Sequence, residues 1–249
     1  TYGMETGFFR FANKQDENPD KVFSTAVSSL GFTTLLFILF SFVFIRPISQ
    51  ALNISDKPHF IAMMIFILAF DVMSAIPFAY LRYKNRPIRF AFIKILNIVI
   101  TILLNVFFFL LCPLLSKRFP EAFSWFRIER GVEYILIANL IASVVQTVLV
   151  FAQVKIKFQF ADSQLLKRML NYSLPLLILG VAGILNQNAA IMLFPEIYPD
   201  PGPDKLEAYK QLGIYSASMK IAIILIVMTQ AFRYAFEPFI FAKSKDTAN

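Results

Sequence analysis

One cysteine and one histidine are all that this chain of 249 residues holds of the two side chains that most often bind transition metals. The single thiol, Cys112, excludes an internal disulfide and any metal site built from cysteines. Set in an apolar run, it reads as a buried structural side chain. The single imidazole, His59, excludes the clustered histidines of a catalytic zinc centre, and its place at the start of an apolar run reads as interfacial. There is no glycine-rich phosphate loop, and no Ser/His/Asp set at a spacing that recommends nucleophilic catalysis. The expectation is a protein that is not an enzyme and that holds no metal and no catalytic residues. Charge is also scarce, at 16% of residues. The formal net charge of +8 would suit a nucleic acid, but the cations are sorted by loop rather than gathered in a patch, which argues against that partner.

What the chain has in abundance is apolar surface: 57% of its residues are hydrophobic and 29 are Phe. A soluble domain of this length has too little interior to hide them. Val22–Ile45, Ile95–Leu115, Tyr134–Val154 and Leu174–Phe194 carry no charge, and at about 1.5 Å per residue each is long enough to cross the hydrocarbon of a bilayer as a helix. Phe60–Leu81 matches them apart from Asp71, and "IYSASMKIAIILIVMTQAFRYAFEPFIFAK" (Ile214–Lys243) matches them apart from Lys220, Arg233, Glu237 and its terminal lysine. The class is an all-α, polytopic membrane helix bundle with six complete spans. Thr1 is not an initiator methionine, and "TYGMETGFFRF" reads as the end of an apolar segment, so a piece of a longer chain is expected.

Cations favour one side. If Val22–Ile45 runs outward, the cytoplasmic segments hold Arg10, Lys14 and Lys21, then Arg82, Lys84, Arg86 and Arg89, then Lys155, Lys157, Lys167 and Arg168, then Lys243 and Lys245. The other side holds only Arg46, Lys57, Lys117, Arg118, Arg127, Arg130, Lys205 and Lys210. The short loop "RYKNRPIR", with four cations and no acid, is the strongest vote for this orientation. Pro and Gly mark the turns "NISDKP", "KNRP" and "PDPGP". Lys155–Ser173, "KIKFQFADSQLLKRMLNYS", has the composition of an interfacial helix and divides the chain into residues 1–154 and 173–249, with 155–172 between them. Pro77 is expected to kink or end its helix, Pro175 to fall near a first turn, and Gly180 and Gly183 to permit close packing.

Polar residues inside the spans demand a reason. Lys94, Asn97, Thr101 and Asn105 fall three, four and four apart, one stripe on an otherwise apolar helix. Asn139, Ser143 and Gln146, with Gln153 further on, make a second stripe, and "NQN" (Asn186, Gln187, Asn188) groups three amides in a third span. A lone amide is usually interhelical glue contributing about 1 kcal/mol, but stripes on consecutive helices suit a wet interior. Asp71 and Lys220 have no local ion partner, and each is expected to face a polar cavity or a partner inside the bundle. Arg233 and Glu237, four apart, suit an intrahelical pair.

The stretches "YGMETGFFRFANK", "SAIPFAYLRYKNRPIRFAFIKILNI", "LLKRMLNYSLPLL" and "GIYSASMKIAIILIVMTQAFRYAFEPFIFAK" resemble, in order and spacing, Wzx-like polysaccharide-biosynthesis flippases of the multidrug/oligosaccharidyl-lipid/polysaccharide exporter superfamily, of the Bacteroidetes type. The resemblance implies a two-lobe MATE-like fold of twelve to fourteen helices. Residues 1–154 would be the end of helix two through helix six, and 173–249 the start of the second lobe, with helices seven and eight. It implies alternating-access transfer of an undecaprenyl-diphosphate-linked oligosaccharide across the bacterial cytoplasmic membrane, for O-antigen, lipopolysaccharide or other surface polysaccharide. The implied partners are the lipid-linked substrate, membrane lipids, and the polymerase and glycosyltransferases of the same pathway; no cofactor is implied beyond a coupling Na+ or H+. On that reading Arg10, Lys94, Lys220 and Arg233 receive the diphosphate, and Asn97, Asn105, Asn139, Gln146, Asn186 and Gln187 receive sugar hydroxyls. Glu5, Asp71 and Glu237 balance charge or bind the coupling ion. Ala190 and Ile191 stand where similar proteins often carry charge after the "NQ". The rival readings are a cation-coupled multidrug exporter of the same architecture, and a non-transporting membrane scaffold.

Overall fold

The computed structural model describes residues 1–51, 57–124, 126–127, 130–154, 162–199 and 206–246, with the side chains at 51, 187, 190 and 238–246 outside the description. The described residues are mostly helical and include no strand, and the chain is a multi-pass, all-α membrane protein. The order is α1 (Met4–Ala12), α2 (Pro19–Val43), α3 (Ile45–Ala51), α4 (Pro58–Tyr83), α5 (Pro87–Val106), a π-helical turn (Phe107–Leu111), α6 (Cys112–Arg118), α7 (Gly131–Gln153), α8 (Ser163–Ile197) and α9 (Leu206–Asp246). Six stretches are long and apolar enough to cross a membrane: Pro19–Val43, Pro58–Tyr83, Pro87–Arg118, Gly131–Gln153, Ser163–Asn186 and Leu206–Glu237.

Local chemistry sets the helix starts. Pro19, Pro58 and Pro87 each open a span, where proline's fixed φ suits the first turn and its missing N–H leaves no intrahelical bond unmade. Asn18 caps α2, its side-chain oxygen accepting from the Asp20 N–H at 2.9 Å. The turn between α4 and α5 places Asn85 at φ 54, a left-handed conformation that asparagine tolerates. Pro77 does not end its helix, because α4 continues to Tyr83, whereas Pro175, expected near a first turn, lies well inside α8, which begins at Ser163. A freed carbonyl is tolerated in a bundle where neighbouring groups can satisfy it. Of the expected interfacial segment, residues 155–161 lie outside the described residues, and from Ser163 onward the chain is already the first part of α8.

Two compact units emerge, one of Thr1 and Glu17–Leu166 and one of Tyr2–Asp16 and Lys167–Asn249. This grouping follows contact, and it places α1 with the C-terminal residues. In the first unit α4 packs on α2 and α7, and α7 packs on α5. Phe42 beside Phe66 at one end and Phe23 beside Tyr80 at the other make α2 and α4 antiparallel. Contacts of Asp71 with Ser143 and of Ser74 with Gln146 make α4 and α7 parallel.

Apolar side chains close the first unit at two depths. Phe78, Leu81, Ile93 and Val150 form one buried cluster, with Phe90, Leu149 and Phe151 against it. Phe108, Cys112, Tyr134 and Ala138 form the other, where Tyr134 stacks between Phe108 and Phe126 at centroid distances of 4.9 and 5.3 Å. On α5 the lipid face and the inner face differ by one residue of register. Ile95, Ile98 and Ile102 are more than half exposed, whereas Lys94, Asn97 and Thr101 turn inward.

In the second unit α1 lies against the start of α8. The Arg10 guanidinium sits 4.0 Å from the centre of the Tyr172 ring, and Ser173 Oγ donates to the Gly3 carbonyl at 3.3 Å. Glycine is required for this approach: a Cβ on Gly7 would stand 2.7 Å from Ser173 Oγ, and one on Gly3 would stand 2.9 Å from the Ser173 carbonyl at a backbone φ of +72. By contrast a Cβ on Gly180 or Gly183 would meet nothing within 4 Å, so the close packing expected there is not made among the described residues.

Candidate functional site: a polar cavity between two apolar clusters

Between the two apolar clusters of the first unit, α4, α5 and α7 form an open-sided cavity of about 300 Å³ lined by Ile67, Asp71, Ser74, Lys94, Asn97, Thr101, Asn139, Ala142, Ser143 and Gln146. Eight of the ten are polar, at a depth where the flanking residues on the same helices are Phe, Leu, Ile and Val. Helical periodicity builds the wall: Asp71, Ser74 and, one turn on, Phe78 share a face of α4; Lys94, Asn97 and Thr101 share a face of α5; Asn139, Ser143 and Gln146 share a face of α7.

Hydrogen bonds tie the three helices through these groups. Ser143 Oγ donates to the Asp71 carboxylate at 2.9 Å. Lys94 Nζ donates to Gln146 Oε1 at 3.2 Å, and the Gln146 amide reaches Ser74 Oγ at 3.4 Å. Ser74 in turn donates to the Asp71 carbonyl at 2.9 Å. Thr147 Oγ1 joins α7 to α4 through the Phe70 carbonyl at 3.1 Å. Lys94 Nζ also lies 4.3 Å from the centre of the Phe78 ring, whose face favours a cation. Asp71 is exposed to the cavity, whereas Gln146 and Ser143 are buried behind it.

Magnitudes indicate what this lattice is for. A charge at mid-span costs about 2.5–3.5 kcal/mol on insertion scales, while an interhelical hydrogen bond in a membrane averages about 0.6 kcal/mol. At that average, four such bonds return less than the insertion cost of one carboxylate and one ammonium, even though Asp71 and Lys94 each take part in one of them. Water or a polar ligand in the cavity supplies the remainder.

Of the residues singled out from sequence, the structure therefore brings together Asp71, Lys94, Asn97, Asn139 and Gln146. Asn105 continues the α5 stripe but lies beyond the cavity, level with the second apolar cluster, and its Oδ1 is buried with no hydrogen-bond partner among the described residues. In the second unit Glu5, Arg233 and Glu237, with Thr6, Gln230 and Tyr234, line a separate hollow of about 170 Å³, where Thr6 Oγ1 donates to Glu237 at 3.0 Å. Arg10 is exposed over Tyr172, and Asn186 and Lys220 are exposed on α8 and α9 and line neither hollow. The Gln187 side chain lies outside the described residues. The sequence reading passed over Ser74 and Phe78. Their signal was present as spacings of three and seven from Asp71, but serine and phenylalanine are too ordinary in such a helix to draw attention.

Compared with protein-family models, curated proteins and solved structures, the chain matches none.

Proposed function

We propose that the protein is a transporter that passes the polar head of a lipid-linked oligosaccharide, of the undecaprenyl-diphosphate type, across the bacterial cytoplasmic membrane by alternating access, the lipid tail remaining in the bilayer. The product would serve surface polysaccharide or O-antigen synthesis, with the polymerase and glycosyltransferases of that pathway as partners. No catalytic step and no cofactor are required beyond a coupling Na+ or H+. One observation carries this reading: ionic, amide and hydroxyl groups from three apolar helices converge on one cavity. Sugar hydroxyls need both donors and acceptors, and Asn97, Asn139 and Gln146 offer both from one side chain. The Wzx-like sequence resemblance supports the same substrate class. The polar lining disfavours the rival drug exporter, since sites for drug-like molecules are lined mainly by apolar and aromatic groups. The presence of a carboxylate and an ammonium at mid-span, more than interhelical glue requires, disfavours a scaffold.

Loss of a charge-assisted hydrogen bond costs about 1.5–3 kcal/mol, roughly a ten- to hundredfold loss of affinity. Lys94→Ala in the intact gene is therefore expected to deplete surface polysaccharide at normal membrane abundance of the protein. Unchanged polysaccharide at that abundance overturns the reading.

A further inference from the structure

The turn that joins α4 to α5 gathers positive charge at the head of an exposed apolar ridge. Lys84, Arg86 and Arg89 are exposed, and none has a carboxylate partner among the described residues. Asp20, the carboxylate bonded to this end of α4, accepts from the Tyr80 hydroxyl at 3.0 Å, and Asp162 is paired with Lys21. Two of the three cations are already held in place. Lys84 Nζ rests 5.3 and 5.8 Å from the ring centres of Tyr80 and Tyr83, and Arg89 Nη1 donates to Gln153 of α7 at 2.9 Å, which leaves the rest of its guanidinium fork open. The turn itself is fixed by the Asn85 and Arg86 N–H groups, which donate to the Arg82 and Leu81 carbonyls at 3.0 and 2.9 Å. Directly after it, Ile88, Phe92 and Ile95 recur four and three residues apart on one face of α5 and are 82%, 63% and 59% exposed. Tyr80 and Tyr83, half-buried at the end of their span, mark the level at which amphipathic rings meet headgroups.

We propose that the α4–α5 turn is a binding site for an anionic phospholipid, whose phosphate is held by Lys84, Arg86 and Arg89 while an acyl chain lies along Ile88, Phe92 and Ile95. The surface presents cations and then hydrocarbon, in the order in which a lipid presents phosphate and then chain. Arginine offers paired N–H donors to phosphate oxygens, and lysine adds a point charge. A zwitterionic lipid brings an ammonium of its own, which three cations repel, so an anionic headgroup is selected. A soluble phosphate meets the cations but not the ridge; the lipid is the occupant that uses both. None of these residues lines the polar cavity, so the proposal is independent of the transport reading.

The test is lipid binding by the full chain in detergent, read as retained adducts in native mass spectrometry and as thermal stabilisation. Phosphatidylglycerol is compared with phosphatidylcholine of the same chains and with glycerol phosphate, which has the phosphate and no chain. Phosphatidylglycerol should bind and stabilise, and the other two should not. Each cation beside an anionic lipid surface is worth about fivefold in affinity, so Lys84→Gln combined with Arg86→Gln should weaken binding roughly twentyfivefold. Neither side chain makes a hydrogen bond among the described residues, and melting without lipid checks that the variant is folded. Lys117→Gln combined with Arg118→Gln removes the same charge from exposed positions at the far end of the same span and should leave binding unchanged. The proposal is overturned if phosphatidylglycerol does not bind, if phosphatidylcholine or glycerol phosphate binds as tightly, or if the folded Lys84 and Arg86 double variant binds normally. Equal weakening in the Lys117 and Arg118 double variant also overturns it, because the attraction would then be to net charge and not to this turn.

Discussion

Asp162 couples two local tasks in one side chain. Its carboxylate accepts from the backbone N–H groups of Gln164 and Leu165 at 2.8 and 3.2 Å, capping α8, and pairs with Lys21 of α2 at 2.6 Å. The hydrogen bond from Lys21, followed by the two from the backbone, holds its pKa down, from 3.8 to about 2. A depressed carboxylate contributes stability that is present above the unfolded-state pKa and is lost as pH falls through the folded one. The contribution should therefore be full near neutrality and disappear between about pH 4 and pH 2. Asp162→Asn is expected to lower the melting temperature in detergent at neutral pH, with the gap to the unaltered protein closing over that acid window. A gap that persists at the acid end would show that the stabilisation does not come from the ionised carboxylate. The same scale shows how far periodicity can be trusted. The α5 stripe correctly specified a face, but it said nothing of depth. Asn105 lies eleven residues after Lys94, roughly 16 Å along the helix, and that distance carries it past the cavity into the level of Phe108 and Tyr134.

Helices in this chain are decided by proline and glycine in ways that spacing alone misjudges. Pro113 cannot donate to a carbonyl four residues back, and just before it the helix widens into the π-helical turn Phe107–Leu111, with the Cys112 N–H bonded to the Phe107 carbonyl five residues earlier. One apolar run in the sequence is therefore α5, a wide turn and α6 in succession. Of the two outcomes expected at Pro77, a kink or an end, the end does not occur: α4 runs through it, because in a bilayer the alternative to a helix is an unsatisfied backbone. Glycine was read for packing at Gly180 and Gly183, whereas the tight contact is made at Gly3 and Gly7, one turn apart against Ser173. Gly3→Ala places a Cβ against a backbone carbonyl and holds alanine at positive φ, a conformation that costs roughly 1–2 kcal/mol for an L-residue. It should lower the melting temperature measurably, while Gly180→Ala, with open space around it, should be neutral or slightly stabilising through helix propensity. Equal effects of the two substitutions would mean that α1 does not depend on close approach to α8.

At the scale of the whole molecule, the class was legible because a bilayer permits so few solutions: long uncharged runs had to be helices, and the spans expected from sequence all correspond to helices. Neighbour relations were not legible. Packing of α4 on α7, two spans along and parallel, arises from Asp71, Ser74 and Phe70 meeting Ser143, Gln146 and Thr147, and no single-helix pattern encodes which stripe meets which. The result along the first unit is a band of polar groups between two apolar clusters. If that band is wet, cysteine accessibility should alternate with depth along a single helix. In a Cys112→Ala background, cysteines at Asn97 and Asn139 should react with a water-soluble thiol reagent. Cysteines at Ile93 and Ala138, buried in the clusters on the same two helices, should stay unreactive until the protein is denatured. Position 98 is the internal control, since Ile98 is exposed on α5 but faces lipid, where a polar reagent has no thiolate to attack. Silence at 97 and 139 in folded protein would make the band a dry hydrogen-bonded seam, and the energetic case for a hydrated path through these helices would fall with it.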